Sequence, residues 1–249
     1  MLPLPGRPHA LRTPAEDPHT GYWKFYRAVA HAQLARWLPR RSSVILDVSG
    51  GQSRSAEQAA AAGHHVLEVV SRPLGLAAHP RVVADPFTLD FLVDGGMDAV
   101  IAEDGVLSRS LATEQTVHEI ARVLRPGGRV LLCVDSLTLG LAVLAEQNLW
   151  PHLSDVPRAE VVLVPWPDGT ITRCFWSDQL REFLADAGLE VEWIRPRTVV
   201  SPSTAEHVLT KDPDALSRLV RTELQTPYDT RVEDESVGIH LLASAIKTW

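Results

Sequence analysis

The sequence predicts an α/β protein built on a doubly wound, mostly parallel sheet. Short apolar runs of strand length take turns with segments of helical period, and glycine or proline falls at most of the junctions. The runs are apolar without alternation, as expected of strands covered on both faces.

Five prolines between Pro3 and Pro18 exclude a helix from residues 1–20, which read as an extended or flexible arm. A helix is expected from about Tyr22 to Leu38, with Trp23, Tyr26, Ala30, Leu34 and Trp37 on one side and Pro39 as its stop. Residues 42–48 form the first strand. Residues 53–62 form an alanine-rich helix that Gly63 closes. Strands follow at 65–70, 81–85 and 97–102. Val117, Ile120, Ala121 and Leu124 then mark a helix face. Pro126-Gly127-Gly128 ends that helix, and 129–134 is the fifth strand. Beyond it the pattern loosens: a helix over 137–149, an irregular stretch rich in tryptophan and proline over 150–176, a helix through Leu180, Phe183, Leu184 and Ala187, and a strand at 189–194. A polar, partly helical excursion fills 200–232 before a last strand at 237–246. Residues 21–249 thus read as one domain, with cap elements in 21–38, 137–176 and 200–232.

The net charge of −7 argues against a broad nucleic-acid surface, and the pairs Arg40-Arg41 and Arg195/Arg197 read as solvated surface. Two cysteines, Cys133 and Cys174, each in an apolar run, imply buried reduced thiols. No metal-ligand spacing, signal peptide or membrane-length apolar run is present, so the expectation is a cytoplasmic protein with no metal and no membrane partner.

In an open parallel sheet a ligand binds beyond the carboxyl ends of the strands. The first strand–loop–helix junction, residues 44–58, carries Ser49, Gly50 and Gly51, which let the backbone approach a ligand closely. The following helix start directs free N–H groups the same way.

Taken in order, I-L-D-V-S-G-G (45–51), A-D-P (84–86), D-A-V-I-A-E-D-G-V-L (98–107), A-R-V-L-R-P-G-G-R-V-L-L (121–132) and F-W-S-D-Q-L-R-E-F-L-A-D-A-G-L-E-V (175–191) resemble the class I S-adenosylmethionine-dependent methyltransferases. The resemblance spans roughly residues 22–246. It implies a Rossmann-like sheet of seven strands, with the last strand antiparallel between its neighbours. It also implies S-adenosylmethionine as cofactor and a small molecule as methyl acceptor. Position by position, Asp47 supports the loop around the cofactor's amino-acid end, and Ser49, Gly50, Gly51 and Ser53 occupy that loop. Asp85 accepts from the adenine amino group with Pro86 beside the ring. The backbone of Ala102 and Glu103 lies against the methionine portion. Tyr22 and Tyr26 belong to the helix that folds over cofactor and substrate in many relatives.

Two departures stand out. Ser49 and Ser53 replace glycines, and Val70 sits where the family ends its second strand with an acid that accepts both ribose hydroxyls. Losing those contacts would cost about 1.5–3 kcal/mol. Glu68, two residues earlier on the same strand face, is the one acid nearby that could substitute. No general base is identifiable; His31, His152 and Asp135 are candidates. Trp23, Trp150, Trp166 and Trp176 are candidates for an apolar pocket lining. Three functions fit: methyl transfer to a small molecule, a methyltransferase-like protein with weak or lost cofactor binding acting as a binding or regulatory partner, or a non-methylating enzyme on the same scaffold.

Overall fold

The computed structural model describes residues 20–51, 53–156, 159, 161–166, 168–225 and 238–249. The arm expected over 1–20 therefore lies outside the described residues apart from Thr20, as does the 226–232 end of the polar excursion.

In chain order the elements are α1 (Thr20–Trp37), β1 (Val44–Asp47), α2 (Ser55–Ala61), β2 (His65–Val70), β3 (Arg81–Val83), β4 (Met97–Ala102), α3 (Val106–Arg109), α4 (Thr113–Val123), β5 (Leu124–Asp135), α5 (Leu137–Glu146), α6 (Trp150–Asp155), β6 (Val162–Pro165), β7 (Ile171–Cys174), α7 (Ser177–Asp186), β8 (Leu189–Pro196), α8 (Pro202–Lys211), α9 (Leu216–Gln225) and β9 (His240–Lys247). Seven strands form one sheet in the order β3-β2-β1-β4-β5-β9-β8. The pairs from β3 to β5 are parallel, and β9 runs antiparallel to both β5 and β8, as the sequence predicts.

Strand residues alternate between two cores, which is why the strands are apolar throughout. Leu46, Val100, Leu132 and Val134 face one way and pack with Val117 and Ile120 of α4 and Leu180 and Leu184 of α7. Ile45, Ala99, Ile101, Leu131 and Cys133 face the other way and meet Leu34 and Trp37 of α1 and Ala56 and Ala59 of α2. A third cluster lies at the carboxyl side. There Tyr22, Phe25 and Val29 of α1 pack with Leu137 and Leu144 of α5, Val162 and Val164 of β6, and Ala205 and Leu209 of α8.

The structure corrects three readings. Residues 150–176 are not irregular: they hold α6 and a hairpin of β6 and β7. Leu124 is not the last residue of a helix face. It is fully buried at the start of β5, with extended dihedrals, and pairs with Met97. Because Ala99 then pairs with Arg129, Pro126-Gly127-Gly128 form a bulge inside the paired region rather than a stop before it. A side chain at Gly128 would meet the Arg125 carbonyl at 2.9 Å, so the bulge closes only on glycine. Lastly, Arg197 is not solvated surface but fully buried, whereas Arg40 and Arg41 are exposed.

Gly140 brings α5 against the hairpin. A Cβ there would lie 2.9 Å from Cys174 Sγ and 3.1 Å from Val164 Cγ2. Gly140→Val should overpack this contact and lower stability by about 1–3 kcal/mol, read as a lower urea midpoint at unchanged slope. Gly140→Ala should cost less.

Candidate functional site

The site is built at the carboxyl edge of the sheet, where β4 and β5 end and the antiparallel β9 begins. After Ala102 the chain turns through Asp104 (φ 59°) and Gly105 (φ 63°), two successive left-handed residues. Aspartate tolerates that conformation better than most side chains. Arg109 braces the turn, donating from Nη1 to the Asp104 carbonyl at 2.6 Å.

A cavity of about 550 Å³ opens here, within the range of small-molecule sites. Its floor is Glu103, Asp104, Gly105, Asp135 and His240, and one wall is Ser53, Arg54, Ser55 and Gln58 from the start of α2. The roof is α1: Trp23, Tyr26, Arg27, Ala30, His31 and Leu34 line it at the spacing of one helical stripe. The alternate face of α1, with Tyr22, Phe25 and Val29, is buried in the third cluster.

Buried charge organises the floor. Arg197 donates to Glu103 Oε2 and, from Nη1, to Gln33 Oε1 at 3.1 Å, while Gln33 Nε2 donates back to the Arg197 carbonyl at 3.0 Å. Burial alone would depress the guanidinium, but the Glu103 carboxylate together with Cys133 and Tyr26 outweighs it and holds Arg197 well above its ordinary range. Glu103 Oε1 is buried and has no hydrogen-bond partner among the described residues. Asp135 and His240 face each other, Oδ1 to Nε2, at 3.6 Å, and the Tyr26 ring meets His240 edge-on at 5.3 Å. Burial pushes the Cys133 thiol up to about 11, so it is no nucleophile despite its position beside Tyr26.

The first loop is held by Asp47. Its Oδ1 accepts from the Ser49 backbone N–H at 2.8 Å and its Oδ2 from the Ser55 hydroxyl. Ser49 Oγ accepts in turn from the Glu103 N–H at 2.9 Å, tying this loop to the end of β4. Gly50 and Gly51 both take φ 78°. Ser53 points its hydroxyl to that of Ser55. The serine that replaces glycine at 49 is therefore a structural link, which glycine could not supply.

The remaining sequence candidates fall in different places. Val70 is buried at the end of β2. A Cβ on Gly51 would collide with Leu74 Cδ1 and lie 3.2 Å from Val70 Cγ1 and 3.7 Å from Glu68 Oε1, so two aliphatic side chains and a carboxylate oxygen border the loop on this side. Glu68 is engaged by His79 Nε2 at 2.7 Å and by Arg81. Its side chain is buried, and both of these contacts fall on Oε2, while Oε1 lies toward Gly51 of the loop. Asp85 is exposed and accepts from the Phe87 N–H at 2.9 Å, capping the turn after β3, with Pro86 buried beside it. None of Val70, Asp85 or Pro86 lines the cavity. Tyr26 lines it. Tyr22 does not: it is buried, with its hydroxyl 3.3 Å from Thr198 Oγ1 and its N–H on Glu206. His31 and Asp135 line the cavity, whereas His152 is exposed on α6. Of the four tryptophans only Trp23 does: Trp150 and Trp176 are exposed, and Trp166 is buried, donating to Thr172. Among the described residues no three His, Cys, Asp or Glu side chains group to hold a metal, and no helix is long and apolar enough to cross a membrane.

His240 and Arg197 were missed in the sequence. His240 opens an apolar strand and reads there as one more buried residue, and Arg197 looks like half of a surface pair. The sheet order, which sets β9 beside β5, brings His240 to Asp135, and the chain leaving β8 brings Arg197 to Glu103 and Gln33.

Comparison with known proteins agrees with this architecture. Residues 30–132 match the sequence profile of a family described as a methyltransferase domain. The structure is similar to that of the Burkholderia thailandensis 1,6-didemethyltoxoflavin-N1-methyltransferase, solved with 1,6-didemethyltoxoflavin and S-adenosylhomocysteine bound (TM-score 0.57, 17% identity, 99% of this chain and 100% of that one). It is also similar to an S-adenosylmethionine dependent methyltransferase from Mesorhizobium loti (0.56, 15%, 88% and 97%). A third neighbour is the [4+2]-cyclase SpnF (0.52, 16%, 88% and 80%). No curated protein matches the chain in sequence.

Asp47 supplies a test of the loop. Burial pushes its carboxyl up to about 6, against the hydrogen bonds from Ser55 and Ser49. The folded state then holds this proton at a pH where the unfolded chain has released it, so this group's contribution to stability grows as pH falls. Relative to Asp47→Asn, the wild type should gain stability as pH drops from about 7 to about 4, measured by urea denaturation of both proteins across that range.

Proposed function

We propose that this chain, which matches a methyltransferase domain over residues 30–132, is a class I S-adenosylmethionine-dependent methyltransferase and methylates a small-molecule acceptor held in the cavity under α1. The observation that carries this reading is the convergence of the β1–α2 loop, the end of β4 and the α1 roof on one cavity. S-adenosylmethionine would supply an electrophilic methyl group on its sulfonium. The orphaned Glu103 oxygen and the Asp104 and Asp135 carboxylates suit such a cationic ligand. The loop of Ser49, Gly50, Gly51 and Ser53, braced by Asp47, would pass along its amino-acid end together with Ala102 and Glu103. Asp85 and Pro86 would take the adenine. The ribose is the poorer fit, because Val70 and Leu74 present methyl groups beside the loop and the carboxylate oxygen that faces it, Glu68 Oε1, comes from two residues before the end of the strand.

The chain's own chemistry would then be positioning and proton removal. The Asp135–His240 pair is the proton acceptor on the cavity floor, its imidazole Nε2 and carboxylate oxygen both bordering the acceptor's space. Tyr26 and Trp23 present aromatic surface to the acceptor. The apolar ribose position favours one second reading, a methyltransferase-like protein that binds the cofactor weakly and acts through a partner.

Calorimetric titration with S-adenosylmethionine and S-adenosylhomocysteine separates the two. The leading reading expects saturable one-to-one binding. Val70→Asp combined with Leu74→Ala should tighten S-adenosylhomocysteine by up to about tenfold, or ~1.4 kcal/mol. No binding by the wild type and none by the double variant would replace the first reading with the second. For the proton acceptor, release of S-adenosylhomocysteine is followed across phenol, amine and N-heterocycle acceptors. His240→Asn should lower kcat by about 100-fold while S-adenosylhomocysteine affinity stays within about twofold.

A further inference from the structure

We infer that the acceptor taken by the cavity under α1 is an aromatic carboxylate, held at the roof by the indole N–H of Trp23 and the guanidinium of Arg27. The inference rests on the reading of that cavity as an acceptor site and adds what recognises its occupant.

Trp23 lines the cavity and is only 4% exposed, and its Nε1 is buried with no hydrogen-bond acceptor among the described residues. The other two buried tryptophans are both satisfied: Trp37 donates to Ser244 Oγ and Trp166 to Thr172 Oγ1, each at 2.8 Å. The orphaned indole is thus the one at this cavity. Buried N–H groups are seldom left in that state, and one bordering a cavity calls for an acceptor atom on whatever fills it.

Arg27 follows Trp23 by four residues on α1, so the two side chains share a face, and both line the cavity. A neutral donor and a cation one turn apart suit a carboxylate, whose two oxygens can take the indole N–H and a guanidinium N–H together. The rest of the lining agrees with this placement. Its buried acids, Glu103 and Asp135, are on the floor and would repel an anion there. Among the described residues that line the cavity, the exposed ones are Arg27, His31, Arg54 and Asp104, and Asp104 has Arg109 at 4.0 Å. Arg54 already donates to Glu57 at 3.0 Å, which leaves Arg27, next to the orphaned indole, as the better placed cation.

The ring system of the acceptor follows from what lies between roof and floor. The Tyr26 ring is 5.4 Å from that of Trp23 and 5.3 Å from that of His240, both edge-on, so an aromatic row leads from the carboxylate end to the proton acceptor. A planar aromatic body rests against this row with its nucleophilic heteroatom turned to Asp135 and His240.

The test titrates 4-hydroxybenzoate and indole-3-acetate, each beside its neutral amide, into the full chain by calorimetry. No cofactor is added, so the result does not depend on whether the chain binds S-adenosylmethionine. Wild type, Arg27→Gln, Trp23→Phe and Lys24→Gln are compared, the last removing an exposed charge of α1 that does not line the cavity. The expected result is saturable one-to-one binding of at least one carboxylate, tenfold or more tighter than its amide. Arg27→Gln should weaken that carboxylate fivefold or more and leave the amide within twofold. Trp23→Phe, which keeps an aromatic ring but loses the N–H, should weaken it threefold or more, and Lys24→Gln should change nothing. Four results would overturn the proposal: no saturable binding of either carboxylate, amides bound as tightly as carboxylates, carboxylate binding left intact by Arg27→Gln, or equal weakening by Arg27→Gln and Lys24→Gln, which marks general attraction to positive charge. Arg27 is exposed, so its variant decides the matter even if Trp23→Phe does not fold. Carboxylates bound as expected by a chain that transfers no methyl group would keep this inference and remove the reading of its activity; methyl transfer to neutral acceptors alone would do the reverse.

Discussion

A guanidinium sealed in the protein interior is costly unless a carboxylate and well-placed hydrogen bonds compensate it, and removing one partner of such a pair costs about 3–5 kcal/mol. Arg197, at the end of β8, finds its carboxylate at the end of β4 and its amide on α1. Three elements far apart in sequence are thereby fixed to one another at the carboxyl edge. The cavity lies where they meet. Its roof stays over its floor because Gln33 on α1 and Glu103 beneath it share the same arginine. The carboxylate that helps hold the fold also leaves one oxygen over.

A second constraint runs through Asp47 and Ser49. The aspartate fixes the loop after β1, and the serine carries that order across to the Glu103 N–H. The loop and the β4 turn thus form one hydrogen-bonded unit in which Ser49 does what a glycine cannot. The far side of the loop is different. Leu74 and Val70 close against Gly51, and Glu68 is given over to His79 and Arg81. Polar order on one flank and aliphatic packing on the other make the loop an asymmetric platform, with its specific hydrogen bonds concentrated toward β4.

Much of this fold was legible because strands covered on both faces leave a continuous apolar signature. Residues 65–70 and 97–102 are read to the residue, and the antiparallel β9 falls in its expected place. The hairpin of β6 and β7 was not legible. Its strands have four residues each, too short to show a period, and proline and tryptophan around them mask the pattern. Pro126-Gly127-Gly128 correctly announced the end of a helix, but no local rule tells a bulge within a paired strand from a turn before it. At the site, the loop residues 47–53 and the β4 end were visible as motifs. Arg197 and His240 were not, since each gains its meaning from a partner about a hundred residues away. Val70 was noticed as a missing acceptor. That Leu74 closes on the loop, and that Glu68 Oε2 is taken up by His79 and Arg81, depends on packing that spacing does not encode.

The helix α1 has a consequence for how the chain is made. Its anchors lie far along the polypeptide: Tyr22 on Glu206, Gln33 on Arg197 and Trp37 on Ser244, separated by 184, 164 and 207 residues. During synthesis this segment leaves the ribosome 164 to 207 residues ahead of those partners and must wait for them. Non-local contacts of this kind form late and slowly. Until then its tryptophans, tyrosines and phenylalanine have no permanent home. The segment that finally closes the cavity is therefore the one most in need of shelter while the protein is being born.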